Sequence, residues 1–299
     1  MRVATFNILS GRSPVDDRVD EHRFADAVRA LDADVLGLQE VDRNQPRSAH
    51  HDLTAVAAEA MGAHEHRFVA ALSGTPGATW SAATGSEQPD SAAYGVALLS
   101  RYPVLGWEVV RLPAVPVRVP HKFHGQWRPE WVRDEPRVAV LADVDTPSGR
   151  LSVVNTHLSY LPWWNARQLR LLLRAVTDRP DPLVLMGDLN MGRAPAERLT
   201  TMHPLATGLT FPAHQPTQQI DHLLTRGGVR ATATQAMALP MSDHRALLAD
   251  VELVRGTEGA LVAGGVVADP VIAPSSLNGA AAGDRSATAA TAPGRAGRR

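Results

Sequence analysis

The sequence predicts a mixed α/β fold (α+β in its strand pairing): two packed mixed β-sheets flanked by helices. Three observations predict it. Short continuous apolar runs recur along the chain, as in strands covered on both faces. Helical periodicity falls between some of these runs, but without strict βαβ alternation. Arg137–Asp145 and Arg150–Leu158, joined by the turn TPSG, read as an antiparallel hairpin, which an all-parallel doubly wound sheet would not contain.

The elements follow in chain order. Val3–Ile8 is an apolar strand that ends in polar residues. Phe24, Ala27, Val28 and Leu31 fall at i, i+3, i+4 and i+7, one face of a helix. Val35–Leu38 is the next strand. Leu53, Val56, Ala57, Ala60 and Met61 repeat the helical spacing, and Gly62 supplies a stop signal. Strands are expected at Val96–Leu99, Val138–Val144 and Leu151–Asn155. A third helix is expected over Asn165–Thr177, where Leu169, Leu172, Leu173 and Val176 share a face. Leu183–Met186, Ile220–Leu224 and Ala246–Leu253 complete the strands.

Residues 111–136 differ from the rest. They hold five prolines, Trp127 and Trp131, and the cations Arg111, Arg118, Lys122, Arg128 and Arg133. Irregular stretches of this length are uncommon and often functional. The segment reads either as a surface insertion or as a lid over a binding site. Residues 1–255 are expected to form one domain. From Gly256 the composition shifts to Ala, Gly, Thr, Ser and Pro, and 256–299 are expected to form a disordered Ala/Gly-rich tail.

Composition narrows the chemistry. There is no cysteine among the 299 residues, so disulfides, cysteine metal sites and a cysteine nucleophile are excluded. No segment reaches the roughly 20 apolar residues of a membrane span, and the N-terminus lacks an apolar leader. The expectation is a soluble, cytoplasmic protein. Net charge is −1. A protein that grips long nucleic acid usually carries a basic face, so nucleic acid is possible as a partner but not favoured.

Five short polar motifs stand at the ends of apolar runs: TFN at Thr5–Asn7, LQE at Leu38–Glu40, NTHL at Asn155–Leu158, GDLN at Gly187–Asn190 and SDH at Ser242–His244. Asp188 and Asn190, at i and i+2, point the same way from an extended chain and can converge on one small object such as a water molecule. Asp243 can hold a metal, and His244 can move a proton or steady a phosphoryl oxygen. Asp221, opening the run IDHLL, suits the task of fixing an imidazole tautomer. His222 should face the other way and be structural. Glu40, Asn7 and Asp243 offer oxygens to a hard cation such as Mg²⁺. Glu40, Asp188 and Asp243 gathered in one pocket would repel each other and raise their pKa values unless a cation were present. His157 can serve a leaving oxygen. Taken singly, each motif also fits a solvated strand end, an Asx turn or a satisfied core histidine. Five together, all at strand ends, point to one shared polar pocket.

The ordered set TFNILSGR, LQEVDR, YGVALLSRYP, NTHL, MGDLN, QIDHLL and SDHRAL resembles the endonuclease/exonuclease/phosphatase superfamily over residues 1–253. The resemblance implies a four-layer α/β sandwich and a phosphoesterase dependent on Mg²⁺, with Mn²⁺ able to substitute. It implies that Asn7 and Glu40 hold the metal with Asp243 close by, and that Asp188 and Asn190 orient and activate water. It implies His244 as base or oxyanion stabiliser oriented by Asp221, and His157 at the leaving group or phosphate. In the deoxyribonuclease branch a glutamate partners the NTHL-type histidine; Tyr94 falls near that position here. The expected substrate is a phosphomonoester or phosphodiester of a small molecule, nucleotide or lipid headgroup. A DNA repair nuclease is the second reading and would place the five cations of 111–136 beside the cleft. A binding scaffold that kept the fold and lost the chemistry is the third. Trp163 and Trp164 either line the pocket or pack against the sheet.

Overall fold

A computed structural model describes residues 1–122 and 127–254. The expected tail lies outside the described residues, as does the centre of the 111–136 segment.

The first sheet is built from β1 (Arg2–Asn7), β2 (Val35–Arg43), β3 (Glu65–Gly74), β4 (Trp80–Ala82) and β5 (Ala93–Ser100), with two late strands described below. The second begins with β6 (Val104–Leu112). A separate two-stranded ribbon pairs β7 (Val119–His121) with β8 (Glu130–Val132). The second sheet continues with β9 (Arg137–Thr146), β10 (Gly149–His157), β11 (Leu183–Asp188), β12 (His203–Pro204) and β13 (Asp221–Arg226). β14 (Val229–Met237) and β15 (Ala246–Leu253) return to the first. The strand orders are β14-β15-β1-β2-β5-β3-β4 and β12-β13-β11-β10-β9-β6.

Both sheets are mixed. β1 runs parallel to β2 and antiparallel to β15. β10 runs parallel to β11 and antiparallel to β9, with Gly149 opposite Thr146 across the expected TPSG turn. The inner faces share one apolar cluster that includes Val3, Val35 and Leu98 from one sheet and Val140, Val153 and Val184 from the other. The outer face of the first sheet is covered by α1 (Glu21–Leu31) and α2 (Leu53–Met61), through Phe24, Val28, Leu31 and Ala57. The outer face of the second is covered by α3 (Pro162–Ala175) and α4 (Arg193–Thr200), through Leu169, Leu172 and Ala196. The layers are thus helix, sheet, sheet, helix, as expected.

Capping chemistry sets the helix ends. The Asp20 carboxylate accepts the Arg23 N–H, and Asp52 accepts those of Thr54 and Ala55. Gly62 closes α2 in the left-handed conformation, φ 67°, where it carries no Cβ penalty. Among the described residues no helix is long and apolar enough to cross a membrane.

A polar seam ties the two sheets together beneath one end. Asn155 on β10 donates to the carbonyls of Leu38 (3.0 Å) and Ala97 (2.8 Å) on the facing sheet, and accepts from Gln39 Nε2 at 2.7 Å. Gly37 makes room for this reach: a Cβ there would lie 2.8 Å from the Asn155 amide. All three polar partners are fully buried, so the seam fixes the relative placement of the strand ends that carry the motifs.

Candidate active site

The C-terminal ends of β1, β10 and β11, together with Glu40 on β2, Asp221 at the start of β13 and the loop before β15, meet at one rim. Local backbone features aim the side chains. Glu40 sits at a register shift between β2 and β5 with φ 55°, so the bulge turns its carboxylate out of the ladder. Asn190 and Ser242 also have positive φ, 50° and 62°. Three non-glycine residues in the left-handed region at one rim mark backbone held there by its surroundings. Gly187 approaches β10 so closely that a Cβ would lie 1.9 Å from the Thr156 carbonyl, which lets Asp188 come level with His157.

The rim encloses a cavity of about 510 Å³, lined in part by Glu40, Tyr94, Arg137, His157, Asp188, Asn190 and His244. Asp188 is its hub. Its Oδ1 accepts the Asn190 N–H at 2.8 Å, and its Oδ2 accepts Asn7 Nδ2 at 3.0 Å. The same Asn7 nitrogen donates to Glu40 Oε1 at 3.1 Å. Asn7 Oδ1 is taken by the Leu9 N–H at 3.1 Å, so the amide shows the two carboxylates its nitrogen rather than its oxygen. Burial first, then the charge of Asp221, pushes the Asp188 carboxyl up to about 7. Glu40 is also raised, chiefly by burial, with the Asn7 hydrogen bond opposing. The Asp188 and Glu40 carboxyls are therefore both raised, with desolvation leading and repulsion between carboxylates secondary.

The two imidazoles have different neighbours. His244 Nδ1 lies 2.9 Å from Asp221 Oδ2, and Nε2 lies 3.8 Å from Asp188 and 4.0 Å from Asp243. Burial would lower its pKa, but Asp221 and the other carboxylates override this and lift it to about 10. His157 Nδ1 meets Arg137 Nη1 at 3.2 Å, and Nε2 meets the Asn190 amide nitrogen at 3.1 Å. A neutral ring has one lone pair for two neighbours that donate, and an added proton would face both donors. Burial, then Arg137 and His244, holds His157 well below the usual imidazole value.

Arg137 is the functional candidate that the sequence did not single out. Its guanidinium is only 5% exposed. Among the described residues its one ion pair is Glu135 at 3.8 Å, and its Nε has no partner. A buried cation without a close carboxylate is costly unless an anion joins it. It stands at the first residue of an apolar strand, β9, beside the β10 end that carries NTHL, and one arginine among many carries no distinguishing signal. Arg137, rather than Tyr94, is the side chain against His157 Nδ1; Tyr94 lines the same cavity without that contact.

Other expected residues fall in two places. Asp221 stands behind His244, and Asp243 lies at the rim with a buried Oδ1 that has no partner. His222 binds the Met191 carbonyl at 2.8 Å, on the opposite face of its strand from Asp221. Trp164 packs on Val115 and Leu161 and donates to the Pro113 carbonyl at 2.8 Å, while Trp163 is exposed; Tyr160 and Pro162 line the cavity instead. The base of the 111–136 segment is fixed beside the site: Asp134 accepts Ser159 Oγ at 2.6 Å and the Val115 N–H at 3.1 Å. Arg111, Arg118, Arg128, Arg133 and Lys122 are not among the residues that line the cavity.

The donor set fits a hard divalent cation. Glu40 keeps one amide contact despite its burial, and Asp243 offers a buried oxygen with no partner. Asp188, Asp221 and His244 also bring three ligand atoms within 4.8 Å of one another, but the Asp221–His244 hydrogen bond already engages two of these groups.

Two sheets enclosed by helices, with carboxylates and imidazoles at one rim, define the phosphoesterase fold class. Residues 4–244 match the family model described as Endonuclease/Exonuclease/phosphatase family, and the chain belongs to that family. A solved endonuclease/exonuclease/phosphatase from Beutenbergia cavernae DSM 12333 is 25% identical, covers 85% of this chain and 71% of its own, and superposes with a TM-score of 0.59. The mannosyl-6-phosphatase Bt3783 of Bacteroides thetaiotaomicron VPI-5482 shares the fold at 15% identity and TM-score 0.56, over 85% of this chain and all of its own. Protein cwh43 of Schizosaccharomyces pombe (strain 972 / ATCC 24843) is 28% identical over 184 residues, 60% of this chain. That match spans 15% of the curated relative's length.

Proposed function

We propose that this protein is a divalent-metal-dependent phosphoester hydrolase in which an activated water attacks phosphorus directly. The observation that carries the reading is the convergence on one cavity of a buried hydrogen-bonded Asp188, a carboxylate-paired His244 and a buried Arg137 whose Nε has no partner.

Each residue has a derived task. Arg137 binds a phosphoryl oxygen, a closer anion than Glu135 at 3.8 Å. Asp188 is held by Asn190 N–H and Asn7 Nδ2, so its orientation is fixed before substrate arrives. With a pKa pushed up to about 7, it is suited to take the proton of the attacking water. His244 keeps its proton on Nδ1 against Asp221, and the surrounding carboxylates favour a second proton on Nε2. As an imidazolium it donates to a phosphoryl oxygen rather than acting as base. His157, neutral between Arg137 and Asn190, positions the oxygen that leaves. Glu40 and Asp243 would hold Mg²⁺ or Mn²⁺, with Asn7 beside them holding Glu40 and Asp188 through its Nδ2. When bound, that cation supplies Lewis-acid polarisation and neutralises developing charge.

The net charge of −1 favours a small phosphoester over long nucleic acid. A panel of activated phosphomonoesters and phosphodiesters tests the reading. Turnover is expected with Mg²⁺ or Mn²⁺, is abolished by EDTA and returns with added metal. No turnover of any ester across metals and salt concentrations would contradict it.

A further inference from the structure

A second cavity lies beside the first. It encloses about 540 Å³ between Pro14, Val15, Pro212, Ala213, Leu239 and Met241, and it ends at Ser242 and Asp243. Phe211 lines both cavities, and its ring lies against the His244 imidazole at 4.9 Å between centroids. One side chain therefore separates the groove from the proposed reacting centre.

Backbone hydrogen bonds fix the groove to that centre. Ala213 N donates to the Asp243 carbonyl at 2.7 Å, and Ser242 N donates to the Arg12 carbonyl at 2.9 Å. Arg245 Nε donates to the Ala213 carbonyl at 2.8 Å. The walls are thus preformed rather than assembled around a guest. The volume lies within the range of small-molecule sites, roughly 300–1,000 Å³.

The lining selects the guest. No lysine or arginine lines the groove; its ionisable residues are His214 and Asp243. A phosphate backbone running this way would meet the Asp243 carboxylate, and the arginine at the wall, Arg245, is engaged by the Ala213 carbonyl. A hydrocarbon chain would instead cover Val15, which is 92% exposed, and the half-buried Leu239, over a floor that includes the buried Met241. The polar end of such a molecule would then lie beside His244 and Arg137.

We propose that this groove takes the alkyl or acyl chain of an amphipathic phosphoester whose phosphoryl group occupies the catalytic cavity. The proposal rests on the phosphoester-hydrolase reading and names its substrate class.

Calorimetric titration of the full chain with methyl, butyl and octyl phosphate tests it, alongside hydrolysis of methyl and octyl p-nitrophenyl phosphate. Affinity is expected to rise about fourfold for each methylene buried, equivalent to ~0.8 kcal/mol per CH₂, until the groove is filled. Val15→Glu, at an exposed position, should collapse the octyl-to-methyl ratio. Equal affinity for methyl and octyl phosphate overturns the proposal, as does a ratio unchanged in Val15→Glu. A parent that sediments as a dimer and a Val15→Glu variant that sediments as a monomer would also overturn it, because the groove would then hold a second copy. Chain-dependent binding without turnover of either ester would keep the groove and remove the hydrolase reading. Turnover with a flat chain-length series would do the reverse.

Discussion

The two corners of the cavity hold the same side chain in opposite electrostatic states. At one corner His244 is surrounded by Asp221, Asp188 and Asp243 and is lifted to about 10. At the other His157 lies between a guanidinium and an amide nitrogen and is driven well below its ordinary value. Both rings are buried, 5% and 6% exposed, so desolvation is common to the two and does not explain the difference. The neighbours decide. One cavity can therefore present a cationic donor and a neutral imidazole to the same substrate at the same pH, an arrangement suited to separate tasks at a phosphoryl centre.

Asp188 stands between the corners, 3.6 Å from His157 Nε2 and 3.8 Å from His244 Nε2. Asp188→Ala removes the proton acceptor and breaks the link between them. The expected loss in kcat is about a hundred- to ten-thousandfold, the range for a general base. Circular dichroism should stay close to the parent, since the residue ends a strand at the rim. Near-parental turnover would remove Asp188 from the reaction.

Arg137→Met perturbs the His157 corner alone. It removes a charge-assisted contact to the substrate, for which an effect of about 1.5–3 kcal/mol, or roughly ten- to a hundredfold in kcat/KM, is expected. It should also raise the His157 titration point, a change that simple loss of packing would not produce. An unmoved titration would mean that Arg137 does not set the state of that ring. The smallest effect is expected from deleting residues 256–299, which carry none of the polar motifs: kcat/KM should stay within about twofold, roughly 0.5 kcal/mol. A large loss would assign the tail a part in the site.

The rim was largely legible in the sequence because buried strands end abruptly there. GDLN, NTHL and SDH each place a polar side chain after an apolar run, and the run is what makes the polar residue informative. Strands with one open face were harder to read. β3, β6 and β14 alternate or expose much of their surface, so no continuous apolar run marks them. α4 is too short for periodicity to stand out, with eight residues and Pro195 in its first turn. The inter-sheet seam was invisible for another reason: Gln39 and Asn155 are 116 positions apart, and only the packing of two sheets makes them partners. Arg137 was missed because its meaning lies in its burial and its contact with His157, 20 positions away, which no local pattern records. Asn7 was found, but the direction of its amide depends on Leu9 N–H and on two carboxylates from other strands.

The contrast between the corners is open to direct observation by nitrogen NMR of the imidazole rings in the full-length protein, free of metal, from pH 5 to 11. The account predicts that at pH 7 His244 carries protons on both ring nitrogens and His157 on one. It also predicts that Asp221→Asn moves the His244 titration down from about 10 toward the ordinary imidazole value while leaving His157 neutral. A neutral His244 and a charged His157 at pH 7 would contradict the assignment of donor and neutral roles on which the proposed mechanism rests.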